Sequence, residues 1–290
     1  MQPTIPEALA IVAGRGVYPI LLAQSARVQG VKRLFAIAFK KETDPEIERL
    51  VDTVKWIALG QLQRMLDELA ASGVKHAVMV GLITPTHLFR IRLDRLALSL
   101  LRNLKERNAH TIFGTVAEQI RGLGIEVLPA STFMQSHMPA PGVLTVRSPD
   151  AREWADIALG LKVAESTSEL DVGQTVVVKE GTILAVEAFE GTDETIRRAG
   201  RLGGPGAVVV KVAKRSHDMR FDIPTIGLIT MKVLRKAGIS ALALQAGRAI
   251  ILERDKVVAE ANRMGLSLVA LSPESGVGHA TASASDGTRG

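Results

Sequence analysis

Leu9-Ala10-Ile11-Val12-Ala13-Gly14-Arg15-Gly16 is a short strand-forming run that closes on a Gly-x-Gly turn. Tyr18 and Pro19 follow, then a helical stretch from Ile20 to Val28. Strand, glycine turn and helix in that order aim backbone N–H groups at an anion. The full G-x-G-x-x-G fingerprint is missing because position 19 is Pro. A plain tight turn therefore explains the glycines at least as well as a phosphate cradle.

Working outward, strand-like runs recur at Leu34 to Ala38, Val54 to Leu59 and Ala77 to Val80, with a helix from Leu62 to Ala71. Strands alternating with helices predict an α/β fold with a parallel sheet covered on its faces. Ligand crevices in such sheets border the strand ends, which makes Gly14, Gly16, Gly60 and Gly81 crevice candidates. From His87 to Arg107 the leucines Leu93, Leu96, Leu100, Leu101 and Leu104 recur at helical spacing among arginines. That pattern fits a basic amphipathic helix on a lipid, or an ordinary packed helix with a solvated basic face. A helix from Thr111 to Leu123 and a strand from Glu126 to Leu128 complete the first half.

Pro139-Ala140-Pro141-Gly142 reads as a linker, so the expected domains are 1–138 and 143–275, with a disordered tail over 276–290. The second half opens with a helix from Asp150 to Ser166. Thr175 to Val178 and Thr182 to Ala188 form a hairpin across Glu180-Gly181. After a helix to Leu202, a strand from Ala207 to Val212 delivers Lys211 and Lys214. Pro224 is placed in the first turn of a helix running to Lys236. Strands at Ala241 to Leu244, Ala249 to Leu252 and Leu268 to Leu271, and a helix from Asp255 to Met264, follow.

The chemistry is concentrated in Val186-Glu187-Ala188-Phe189-Glu190-Gly191-Thr192-Asp193. Three carboxylates sit where a strand passes through a glycine into a helix. Such oxygens suit Mg²⁺ shared with substrate phosphates, and the Thr192 hydroxyl with helix-head amides suits a phosphate. The plainer alternative is that Asp193 caps the helix through Arg197 and Arg198.

Elimination narrows the field. With no cysteine among 290 residues there is no thiolate nucleophile and no disulfide framework. The six histidines are scattered, and no Gly-x-Ser-x-Gly elbow or phosphate loop appears. A net charge of +6 favours anionic partners, but aromatics make up only 3% of the chain, which argues against nucleic acid. No signal segment or membrane span is evident, and a cytoplasmic location is expected. Acids and lysines at strand ends remain, and they fit metal-assisted attack of water on a phosphate ester or anhydride.

Leu170-Asp171-Val172-Gly173-Gln174, Leu184 to Asp193 and Phe221-Asp222-Ile223-Pro224-Thr225-Ile226-Gly227 resemble the motifs of the LpxI family. Ile11 to Gly16 with Pro19, and Ala246-Gly247-Arg248, are similar as well. The resemblance implies a Rossmann-like N-terminal domain and a mixed α/β C-terminal domain facing an interdomain cleft. It implies Mg²⁺- (or Mn²⁺-) dependent hydrolysis of UDP-2,3-diacylglucosamine to UMP and 2,3-diacylglucosamine 1-phosphate in lipid A biosynthesis. Asp222 is then expected as metal ligand or water-orienting group, with Glu187 and Asp193 as further catalytic acids and Asp193 as a second metal ligand. Glu190, Gly191, Thr192, Lys211, Thr225 and Gln174 would contact substrate, and Gly14, Gly16 and Pro19 would shape the N-terminal face. Two acyl chains call for an apolar groove, from the Leu93 to Leu104 helix or the Tyr18 to Leu22 segment. Peripheral contact with the inner membrane and a homodimer are further expectations. The chain departs from the family pattern at Gly81-Leu82-Ile83-Thr84-Pro85 and Asn108-Ala109-His110. A non-catalytic nucleotide-sugar or lipid-binding protein is the competing reading.

Overall fold

Between Ala8 and Ala13 no side chain is polar, and Leu9 to Ala13 are all buried. Such a run suits a central strand covered on both faces. The computed structural model describes residues 5–83, 92–104, 109–213, 220 and 223–272. Contacts divide the chain into two units, one of Met1–Ser136 with Asp218–Ile223 and the other of His137–His217 with Pro224–Gly290.

In the first unit, β1 (Ala8–Ala13), β2 (Arg33–Phe39), β3 (Thr53–Ile57), β4 (His76–Val80) and β5 (Glu126–Val127) form a five-stranded sheet. Its order is β3-β2-β1-β4-β5 and every pairing is parallel. The order turns back between β1 and β4, where open sheets of this kind receive ligands. The helices are α1 (Tyr18–Val28), α2 (Leu62–Ser72), α3 (Arg95–Asn103) and α4 (Ala109–Gly122). Ala10 and Val12 of β1 pack with Phe35, Ile37, Met65, Leu69 and Ile120, which ties α2 and α4 to one face. Burying each large aliphatic side chain of this kind contributes about 1.5–3 kcal/mol. Asp94 joins two helices: one carboxylate oxygen accepts from Ala97 N of α3 at 2.8 Å, the other from Gln63 N of α2 at 2.8 Å.

In the second unit, β6 (Gly142–Val143), β7 (Thr175–Lys179), β8 (Thr182–Val186), β9 (Val208–Lys211), β11 (Ala241–Gln245) and β13 (Ser267–Leu271) form a sheet ordered β6-β13-β11-β9-β7-β8. β9, β11 and β13 are parallel, while β6, β7 and β8 pair antiparallel to their neighbours. Side-chain alternation splits the packing. Val176, Val178, Val208 and Val210 meet Ile157 and Ala164 of α5 (Ala151–Glu169). Val177, Val209, Leu242 and Leu244 meet Ile196 of α6 (Thr192–Gly203), Met231 of α7 (Leu228–Ala237) and Val257 of α8 (Arg254–Arg263). α5 starts at a capping box between Asp150 and Glu153. Glu153 also takes two hydrogen bonds of 2.7 Å from Arg147.

Several expectations need correction. Pro224 does not open a helix: Thr225–Ile226 is a short strand, β10, parallel to β12 (Ile250–Ile251). Helix α7 begins only after Gly227. The β-branched pair Thr225-Ile226 favours the extended form once Ile250 supplies a partner, so pairing overrides the proline signal. β12 accordingly belongs to this separate two-stranded sheet and not to the main one. Gly142, expected in the linker, lies in β6 on the edge of β13. The 276–290 tail and parts of the 87–107 helical stretch lie outside the described residues.

Candidate functional site

Strand register, not sequence proximity, assembles the polar cluster of the second unit. β7 and β9 place Thr175 opposite Lys211. Glu187, one residue past β8, extends the ladder by donating its N–H to Thr175 O at 2.8 Å. The turn before β7 runs hard against it: a Cβ on Gly173 would lie 2.1 Å from the Glu187 carbonyl oxygen. Only glycine permits that approach. Gly191, at φ 83°, then lets the chain turn into α6, whose first residue is Thr192.

The Thr192 hydroxyl is the hub. It accepts from Lys211 Nζ at 2.6 Å and donates to Glu187 Oε1 at 3.0 Å, with Thr175 Oγ1 3.3 Å away. Lys211 is only 8% exposed and Thr175 is fully buried. The second Glu187 oxygen is buried and has no hydrogen-bond partner among the described residues. A buried lysine, two hydroxyls and an under-satisfied carboxylate thus meet at the end of the sheet.

Glu190 is held by its own neighbours. Its carboxylate accepts from Ala188 N at 3.2 Å, Thr195 Oγ1 at 3.3 Å and Arg198 at 2.8 Å. Burial would raise this carboxyl, yet its own amide, Arg198, Ala188 and Thr195 together hold it below the usual glutamate range. Arg197 pairs with Glu194. The helix head is therefore tied down by Glu190 and Glu194, while Asp193 has no side-chain partner among the described residues. No side chain caps the first turn of α6, whose N-cap is Gly191.

Gln174 contributes its carbonyl to Val212 N at 2.9 Å, beside Thr175. Thr225 lies in β10, and no described contact ties it to the Lys211–Thr192–Glu187 cluster. Asp222 and Lys214 lie outside the described residues. Among the described residues no three His, Cys, Asp or Glu side chains group closely enough to hold a metal ion. Thr175 is the participant that reading the sequence missed. Its only signal was a threonine opening a strand of valines.

In the first unit the N-terminal candidates separate. Gly14 serves packing: a Cβ there would lie 2.9 Å from the Gly81 backbone, and one on Gly81 would lie 2.8 Å from Gly14. Reciprocal Arg15–Leu82 backbone bonds of 2.9 Å lock the two turns together. Pro19 is buried in the first turn of α1. Gly16, at φ +96°, faces open space and lines a basin. A separate apolar pocket of about 100 Å³ is lined by Leu93, Leu100, Leu101 and Leu104, together with Met65 and Phe113. Of the two segments expected to offer an apolar groove, the leucine-rich one lines this pocket, whereas Tyr18, Ile20 and Leu22 are buried.

These features define a two-unit α/β protein with a buried lysine–hydroxyl–carboxylate site at the sheet end of its second unit. Residues 8–137 match the LpxI N-terminal domain and residues 140–269 the LpxI C-terminal domain. The chain belongs to the LpxI family. It is 29% identical over 278 residues to the UDP-2,3-diacylglucosamine pyrophosphatase LpxI of Caulobacter vibrioides, covering 92% of this chain and 98% of that one. Solved structures with some likeness include the biotin carboxylase domain of Hydrogenobacter thermophilus 2-oxoglutarate carboxylase and the biotin carboxylase subunit of a pyruvate carboxylase. Each is 13% identical, covers 68% of this chain and 41% of its own, and has a TM-score of 0.28. Neither bears on the fold or the chemistry at that score. No described helix is long and apolar enough to cross a membrane.

Proposed function

We propose that this protein hydrolyses the pyrophosphate of UDP-2,3-diacylglucosamine, releasing UMP and 2,3-diacylglucosamine 1-phosphate, with Mg²⁺ as cofactor. The observation that carries the reading is the match of both family domains to a relative of nearly the same length that bears this activity in its name. The Lys211–Thr192–Glu187 cluster supplies fitting chemistry. A pyrophosphate resists attack because its anionic oxygens repel a nucleophile. A preorganised ammonium in a buried setting offsets that charge as it develops.

Lys211, which keeps two N–H donors beyond its bond to the Thr192 hydroxyl, holds a phosphate oxygen, and the α6 head adds its unpaired N–H groups. The Glu187 oxygen without a hydrogen-bond partner fits a cation, since Mg²⁺ takes only one or two protein carboxylates and shares the rest of its shell with phosphates and water. Glu187, Asp193 and Asp222 are the acids that would hold it, and bound there it would act as a Lewis acid on the phosphates. Asp222 would orient or deprotonate the attacking water. The leucine-lined pocket would receive acyl-chain carbons.

Purified protein incubated with UDP-2,3-diacylglucosamine and Mg²⁺ should release UMP. Chelation and Asp222→Ala should each abolish that release. Absence of UMP with the wild-type protein and Mg²⁺ would overturn the reading.

A further inference from the structure

A threonine hydroxyl has one proton to give and two lone pairs to fill, and at Thr192 all three are taken inside the second unit. Lys211 offers only N–H donors, so its 2.6 Å bond fills one lone pair. Glu187 Oε1 accepts at 3.0 Å and takes the single proton. One lone pair remains, and Thr175 Oγ1 lies 3.3 Å from the same oxygen. In an isolated pair of hydroxyls either oxygen could donate. Here the Thr192 proton already goes to a carboxylate, the stronger acceptor. Thr175 is therefore the donor and Thr192 the acceptor.

Saturated in this way, the Thr192 side chain has nothing left to offer a phosphate. Its share in anion binding falls to the backbone N–H at the head of α6, which no side chain caps. The hydroxyl instead stands between an ammonium and a carboxylate and sets their spacing. Two N–H donors of Lys211 stay open, as does the buried Glu187 Oε2, which has no hydrogen-bond partner among the described residues.

Thr175 is built into this arrangement from the backbone outward. It opens β7, is fully buried, and stands opposite Lys211 in the β7–β9 register. Its carbonyl accepts from Glu187 N at 2.8 Å. One residue thus holds the backbone of Glu187, pairs with the strand of Lys211 and touches the hydroxyl that joins their side chains. A valine would fill the same volume and extend the Val176-Val177-Val178 run with no polar group to satisfy.

We infer that Thr175 is a positioning residue for the pyrophosphate hydrolysis proposed above, on which its role in turnover rests. By filling the last lone pair of Thr192 it holds that hydroxyl in one orientation. Glu187 Oε2 and two Lys211 N–H groups are then the side-chain groups of the cluster left for ligands. Without the Thr175 donor, Thr192 is held by two contacts instead of three, and the spacing of ammonium and carboxylate loosens. Misplacement of such groups slows the chemical step more than it weakens binding.

Thr175→Val removes the donor at nearly constant shape, and Thr175→Ser keeps it. Thr175→Val should lower kcat for UMP release about fivefold with KM little changed, the effect of one net hydrogen bond. Thr175→Ser should stay within about twofold of wild type. Because Thr175 acts through Thr192, adding Thr175→Val to Thr192→Val should cause no further loss. Neutron diffraction of the deuterium-exchanged protein reads the arrangement without turnover. It should place the Thr175 deuteron toward Thr192 and the Thr192 deuteron toward Glu187. Wild-type kcat in Thr175→Val, no recovery with serine, or losses that multiply in the double variant would overturn the role of Thr175 and leave the reaction standing. Deuterons in the opposite sense would overturn it as well. Deuterons placed as expected in a wild-type protein that releases no UMP would keep the hydroxyl arrangement and remove the reaction.

Discussion

Lys211 reaches across from β9 to donate to the hydroxyl of Thr192, the first residue of α6, at 2.6 Å. A strand end and a helix head are thereby joined through one part-buried hydrogen bond. Lys211→Met keeps most of the apolar stem and removes the charge. We expect kcat for UMP release to fall about 10²–10³-fold, the usual effect of deleting one preorganised electrostatic contact. Thr192→Val should have a smaller effect, since the lysine remains. Circular dichroism of both variants would confirm that the fold persists.

Gly14 and Gly81 should tolerate nothing larger. Gly14→Ala or Gly81→Ala forces two backbones apart at the turns following β1 and β4, and overpacking of this kind costs about 1–3 kcal/mol. Gly16→Ala meets no neighbour and should cost only the strain of its positive φ, about 1 kcal/mol. Urea unfolding of the three variants should rank Gly81→Ala as the most damaging, because it combines crowding with a φ of +94°.

The Glu153 carboxyl gives the stability of the second unit a pH dependence. Burial would raise its pKa, but Arg147, Ser240 and the Asp150 amide outweigh that and hold it below the ordinary value of 4.5. A depressed carboxyl stabilises the fold fully above its unfolded pKa, and that contribution is lost as pH falls through the folded one. Glu153→Gln should therefore cost about 2 kcal/mol at neutral pH, the pair being buried on the Glu side and partly open at Arg147. The difference from wild type should shrink once the pH drops below the glutamate range. Thermal unfolding across pH 3 to 7 (roughly the carboxyl titration range) checks both the size and the direction.

Asp94→Ala should weaken two helices at once. Each lost cap is worth about 1 kcal/mol, and the two caps share one side chain. Hydrogen exchange at the first turns of α2 and α3 should quicken together. Protection lost at α3 alone would contradict the shared cap.

Local signals carried much of this fold. The uninterrupted apolar runs at Leu9 and Leu34, the hairpin at Glu180-Gly181 and the helix start at Asp150 were all legible, because each depends on neighbours within a few residues. Asp94 also precedes its own helix, but its bond to Gln63 spans 31 residues, and no local pattern encodes it. β10 was missed for the same reason: Pro224 is a nearby helix signal, whereas Ile250 is a distant strand partner. In the site, Glu187, Thr192 and Lys211 stood out by residue type. Thr175 did not, because only the β7–β9 register sets it opposite Lys211. Glu190 and Asp193 are chemically alike in the sequence, and only the folded neighbours of Glu190, Ala188, Thr195 and Arg198, tell them apart.

β6 and β13 are the first and last strands of the second unit, and they lie side by side, with Val143 opposite Val269. Proximity of this kind makes a circular rearrangement feasible. A short Gly/Ser bridge from the end of β13 to the start of β6, with new ends in the Gly204 to Gly206 bend, where Pro205 is exposed, would leave every strand of the sheet in its present place.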